Sequence, residues 1–131
     1  MVDAVDVVGE GHIGTNIVGG VEIVPKEGYR DIGSAVESTF EGCKFLVQHG
    51  ILPTISIWFA SRGSKYQEAE MAPVEYHLKL GYELHKLLKE SGMYAKTGHK
   101  LLGTDPSYRR IFCYKCCFDN ISQDYPRLLK D

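Results

Sequence analysis

Hydrophobic residues along this chain fall into two registers, one with the period of a helix and one with that of a buried strand. Ile32, Val36, Phe40, Cys43 and Val47 recur at spacings of 4, 4, 3 and 4, an apolar stripe that predicts a helix within 31–49. Ser34 and Glu37 stand three apart as in a capping box, so the regular helix is expected to begin there. Gly50 lies where a left-handed residue would stop it. One residue later, 51–59 is rich in β-branched and aromatic residues and reads as apolar on both faces, in the manner of a buried parallel strand. A polar loop over 61–70 precedes a second helix, expected from about Pro73 to Ser91 with Gly92 as its stop. Val74, Leu78, Gly81, Leu84 and Leu88 form the expected stripe of that helix.

The amino-terminal pattern is weaker. Residues 12–18 read as a strand closed by Gly19 and Gly20, and 21–30 as a loop with Pro25 and Gly28 as turn residues. Asp3 to Val8 is too short to stand as an independent element, and Gly9 and Gly11 break it. The resulting order is strand, helix, strand, helix with short returns from helix to strand, the grammar of a parallel α/β sheet. Two parallel strands are too few to make a stable sheet alone. The chain therefore reads as a piece of something larger, or as one that needs a partner.

Composition narrows the class. With 131 residues, 44% hydrophobic and 24% charged, the chain has the make-up of one ordinary globular domain. No apolar run approaches the ~20 residues of a membrane helix, and the acidic start of the chain is unlike a secretory signal. The net charge of −2 offers no global field for nucleic acid. Charge is nevertheless uneven: residues 1–95 carry 8 Lys/Arg against 13 Asp/Glu, and 96–131 carry 7 against 4. Four cysteines lack the density of a disulfide scaffold, and the vicinal pair Cys116–Cys117 has poor geometry for mutual bridging. A reducing cytoplasm is the expected setting, with the thiols free or on a metal.

Candidate chemistry lies in two places. The first is the glycine-rich strand end, Thr15-Asn16-Ile17-Val18-Gly19-Gly20-Val21-Glu22. A strand that ends in glycines lets backbone approach a ligand closely, and ligands of parallel α/β folds bind at strand carboxyl ends. Glu22 could accept hydrogen bonds from a ligand hydroxyl or amine; the plainer reading is a tight turn with a surface glutamate. The second place is Cys113-Tyr-Lys-Cys116-Cys117, two thiolates at metal-ligand spacing with a third alongside. Zinc would need a fourth ligand, with His99 or Cys43 available. An auxiliary iron–sulfur cluster would also take these thiolates, and unligated thiols are the plainer reading. His77 and His85, two helical turns apart, read as solvated or stacked, Trp58 and Phe59 as core or rim packing, and Arg62 and Lys65 as loop charge.

The strand-end run resembles the fifth-strand motif of radical S-adenosylmethionine enzymes, biotin-synthase-like branch, which has the form G-x-I-x-G-x-x-E. Here it reads Thr15-x-Ile17-x-Gly19-x-x-Glu22, with Thr15 in place of the first glycine. The resemblance continues through Thr39-Phe40-Glu41-Gly42 and His49-Gly50, Ile51-Leu-Pro-Thr-Ile-Ser-Ile57, Gly63-Ser64 and Ala72-Pro73, and covers about two-thirds of the chain. It implies a partial (β/α) TIM-type barrel fragment over 1–92 with a cysteine-containing tail over 93–131. It implies further that Thr15, Asn16, Ile17, Val18 and Gly19 lie on one side of the adenine of S-adenosylmethionine, and Pro53, Ile55 and Ser56 near the other. Glu22 would give structural or polar support. The family's [4Fe–4S] cluster sits on C-x3-C-x2-C, and nothing here fits that spacing. Asp3 to Gly11 looks like the tail of a preceding helix and its turn. The chain therefore resembles the carboxyl-terminal half of such an enzyme, inactive alone and dependent on its missing half or an oligomeric partner. The alternatives are a small zinc- or Fe–S-binding α/β module, with Cys113, Cys116 and Cys117 as ligands, and an accessory subunit.

Overall fold

The computed structural model describes residues 2–24 and 28–93. Its elements run α1 (Val2–Val8), β1 (Ile13–Gly19), α2 (Ile32–Gln48), β2 (Ile51–Ile57) and α3 (Val74–Glu90). The strands pair in parallel, with Ile13 beside Ile51 and Gly19 beside Ile57. The α/β order expected from the sequence is therefore present as a two-stranded parallel sheet among the described residues.

Sheet and helices meet through a few side chains. Ile17 and Ile55, neighbours in register, pack against a cluster that includes Cys43 and Val47 of α2 and Leu84 and Leu88 of α3, and Ile55 also against a second one that includes Val36, Tyr76 and Leu80. Both helices thus lie on one side of the sheet. Successive strand residues point to opposite faces, and β1 follows this closely: Gly14, Asn16 and Val18 are exposed, while Ile13, Thr15 and Ile17 between them are half-buried. β2 meets the expectation of burial on both faces over Ile51 to Thr54, all four of which are buried, with Leu52 in the core. Thr54 and Ser56 share a face with Asn16, to which both hydrogen-bond, so polar groups gather toward the carboxyl end of that face.

The helix ends differ from the sequence reading in one place. Asp31, not Ser34, caps α2: its backbone is extended and its Oδ1 accepts the Ser34 amide at 2.8 Å. That bond holds the Asp31 carboxyl below its ordinary range and starts the helix at Ile32, before the expected capping box. At the other end Gly50 adopts φ +73, as a left-handed stop requires, and its amide reaches the Val47 carbonyl. α1 exists as a short helix, with Val5 its one buried residue, lying against Gly50.

The stripe of α3 is also displaced. Its buried residues are Tyr76, His77, Leu80, Leu84 and Leu88, whereas Val74 is 69% exposed and Leu78 and Gly81 are half-buried. The two versions agree at Leu84 and Leu88 and part in the first turns. There Tyr76 turns inward because its hydroxyl finds partners in the core. Leu84→Ala is expected to cost about 2–5 kcal/mol and Val74→Ala less than about 0.5 kcal/mol, read from urea unfolding midpoints at constant slope.

Candidate functional site at the strand carboxyl ends

Beyond Gly19 the chain turns through residues 20–24, and Glu22 folds back onto the helices. Its Oε2 accepts the Gly20 amide at 2.9 Å, and its Oε1 accepts the hydroxyls of Thr39 on α2 and Tyr76 on α3. The two hydroxyl oxygens lie 3.3 Å apart. One carboxylate thus ties the end of β1 to both helices, and Glu22 is committed to its own chain. Burial, reinforced by the Glu22 carboxylate, pushes the Tyr76 phenol well above its ordinary range, so it stays protonated and donating.

The glycines serve the same contact. A Cβ on Gly19 would come within 2.9 Å of Ile55 Cγ2 and 3.4 Å of the Tyr76 hydroxyl. At Gly20, with φ +103, it would meet Ala72 Cβ at 3.0 Å and the His77 ring at 3.4 Å. The space a side chain would fill is taken by Ile55, Ala72 and the first turns of α3, so on this side the glycines admit the protein's own packing rather than a ligand. His77 is buried and stands edge-on to Tyr76, with ring centroids 5.0 Å apart. Of the two expectations for it, solvated or stacked, the ring contact matches the second. Burial lowers its pKa against an opposing pull from Glu22.

The expected ligand residues divide between the two faces of the sheet. Ile17 and Ile55 pack against the helices, and Pro53 is fully buried. Thr15 is half-buried, and its carbonyl accepts the Thr54 hydroxyl at 3.1 Å. Asn16, Val18 and Ser56 come together on the open side. Asn16 Nδ2 donates to Ser56 Oγ at 3.0 Å, and Asn16 Oδ1 lies 3.2 Å from the Thr54 hydroxyl. Val18 beside them is 47% exposed. Thr54 falls within the stretch from Pro53 to Ser56 that the resemblance placed near the adenine, and it is buried.

At the rim, the Trp58 amide extends the ladder to the Gly19 carbonyl, and Phe59 is 67% exposed. Arg62 and Lys65 are exposed, and Lys65 Nζ lies 5.4 Å from the Tyr66 ring centre. Cys43, a possible fourth zinc ligand by sequence, is fully buried among Val47, Leu52, Leu84 and Leu88. Its thiol is pushed up to about 11 by burial, the reverse of what a thiolate ligand needs. Among the described residues no three His, Cys, Asp or Glu side chains are placed to hold a metal ion, and no helix is long and apolar enough to cross a membrane. His99, Cys113, Cys116 and Cys117 lie outside the described residues.

No protein-family model, curated protein or solved structure matches this chain. The resemblance to radical S-adenosylmethionine enzymes accordingly stands on the residues quoted for it.

Two predictions follow from the packing of Glu22, Gly19 and His77. Gly19→Ala and Tyr76→Phe are each expected to lower stability by roughly 1–3 kcal/mol, the first by overpacking and the second by removing a donor from a part-buried carboxylate. Thermal unfolding checks both. His77 has a folded pKa below its ordinary 6.5, so the unfolded chain binds more protons as pH falls. Stability from this group is complete above pH 6.5 and declines below it, until pH passes the lowered folded value. The melting temperature should drop between pH 7.5 and 5.5, and His77→Gln should flatten that drop.

Proposed function

We propose that this chain supplies the S-adenosylmethionine adenine side of a radical-S-adenosylmethionine-type barrel completed by a partner or by a further segment. The observation that carries the reading is the split of the strand-end run between two faces. Ile17 and Gly19 anchor the helices, which leaves Gly14, Asn16 and Val18 exposed beside Ser56 on the opposite face. In a closed (β/α) barrel that opposite face is the interior, and the strand carboxyl ends are where the ligand sits. An adenine suits this strand end, where Val18 offers an exposed apolar surface and Asn16 and Ser56 offer polar groups. Asn16, Val18 and Ser56 would hold it.

The described residues do not fit an iron–sulfur cluster. Their only cysteine, Cys43, is sealed in the apolar core. Cluster thiolates in C-x3-C-x2-C spacing would come from the partner or segment that completes the barrel, and the electron with them. In the assembled family S-adenosylmethionine supplies the 5′-deoxyadenosyl radical; this chain's part is to hold the adenine and exclude water from it.

The test is an amide correlation spectrum of the isotope-labelled full chain titrated with S-adenosylhomocysteine, which has the same adenosine and no sulfonium. Shifts confined to residues 14–20 and 54–58 are expected at millimolar ligand, and an unchanged spectrum would overturn the reading. Reconstituted with iron, sulfide and reductant, the chain alone is expected to form no 5′-deoxyadenosine from S-adenosylmethionine. Its formation would contradict the proposed division of labour.

A further inference from the structure

The two strands differ at their outer edges. The Gly19 carbonyl accepts the Trp58 amide, and the bonds of a parallel pair recur at every second residue. Ile13, Thr15, Ile17 and Gly19 therefore direct their backbone groups at β2, and Gly14, Asn16 and Val18 direct theirs at the opposite edge. No other backbone partner for those three is present among the described residues, and all three are exposed. On β2 the outward-directed residues are Ile51, Pro53, Ile55 and Ile57. Pro53 has no N–H to give a neighbouring strand, and Ile51 to Thr54 are buried. β2 is thus closed to pairing near its middle, and β1 is open along its length. Open edges usually carry a charge, a proline or a bulge that prevents pairing. β1 has no charged residue and no proline, and its register with β2 runs without a bulge.

We propose that two copies of this chain pair through the free edges of β1, antiparallel about a two-fold axis at Asn16. The edge is complementary to itself in that register. Gly14 stands opposite Val18 of the second copy and Asn16 opposite its counterpart, and each pair exchanges two backbone hydrogen bonds because these groups already point outward. The exposed Val18 side chain lies beside a glycine, so nothing crowds it. In either orientation the Asn16 amide has a proton and a lone pair left after Thr54 and Ser56, which suits it to bond its counterpart. On the helix side the half-buried Thr15 and Ile17 come opposite each other and gain cover. With no charged residue on the strand, no like charges meet across the axis. The axis stands perpendicular to the sheet, so the helices of both copies lie on one side and the open faces merge on the other. An edge of seven residues, ~23 Å long, buries less than the ~1,200 Å² of a standard interface, and the dimer is expected to be micromolar or weaker. The pairing is independent of the adenine reading. A barrel strand added at β1 would need the same edge, so the dimer is the form of the chain by itself.

Sedimentation equilibrium of the full chain from about 10 μM to about 1 mM should show monomer passing into dimer. Register is tested by paired substitutions at low salt. Position 14 accepts a side chain, since a Cβ there would meet only the Leu52 carbonyl, at an ordinary 3.5 Å. Gly14→Lys with Val18→Lys sets like charges opposite each other and should weaken the dimer about tenfold. Gly14→Glu with Val18→Lys sets opposite charges together in this register alone and should restore it. A measurement on the unaltered chain needs no variant. In a mixture of isotope-labelled and unlabelled chains, a nuclear Overhauser contact is expected between the α-protons of Thr15 in one copy and Ile17 in the other, which form a close pair without backbone hydrogen bonds. A monomer at every concentration would overturn the proposal. So would a dimer that lacks the Thr15–Ile17 contact or is unaffected by the two lysines, because its interface would lie elsewhere. The S-adenosylhomocysteine titration reads the open face rather than the edge, so either of these outcomes leaves the adenine reading standing.

Discussion

Glu22 turns its carboxylate back into the protein, where the Gly20 amide, the Thr39 hydroxyl and the Tyr76 phenol all donate to it. A carboxylate drawn out of water must recover its hydrogen bonds locally, and the three donors come from the strand end, α2 and α3. That requirement fixes where the loop after β1 can run. It also explains why a tyrosine lies at the bottom of a helix–helix contact, and why the strand ends in glycines. Any side chain at Gly19 would press on Ile55 and Tyr76, holding α3 away from the carboxylate.

The close approach has a consequence for the other face. With α2 and α3 both drawn to the side of Ile17 and Ile55, the alternate residues of β1 are left exposed. A two-stranded sheet has no neighbouring strands to bring further cover. The exposed row is Gly14, Asn16 and Val18 of β1, whereas opposite it on β2 Leu52 and Thr54 are buried and Ser56 half-buried. A face of this kind does not bury much apolar area. Its value lies in fixed hydrogen-bonding groups, since Asn16 is held at both ends of its amide.

Much of the architecture was legible in the chain. The spacing from Ile32 to Val47 gave α2, the left-handed requirement gave the stop at Gly50, and the β-branched run gave β2. These features are local, set by backbone sterics and by the period of the apolar positions. The cap at Asp31 was missed because Ser34 and Glu37 have the right spacing, while only the extended backbone before Ile32 shows which side chain reaches an orphan amide. The stripe of α3 was misplaced in its first turns for a different reason. A tyrosine and a histidine read as polar, and their burial depends on partners 54 residues away in the case of Glu22 and Tyr76.

By itself the sequence determined the order and type of the elements from β1 to α3 and their parallel pairing, because those follow from periodicity and from the short return from α2 to β2. It also singled out the run from Thr15 to Glu22. Which of those residues serve the core and which face outward was decided only in the folded chain. The strand period assigns alternation but not its sign, and the sign came from the side to which Glu22, Thr39 and Tyr76 pull the helices.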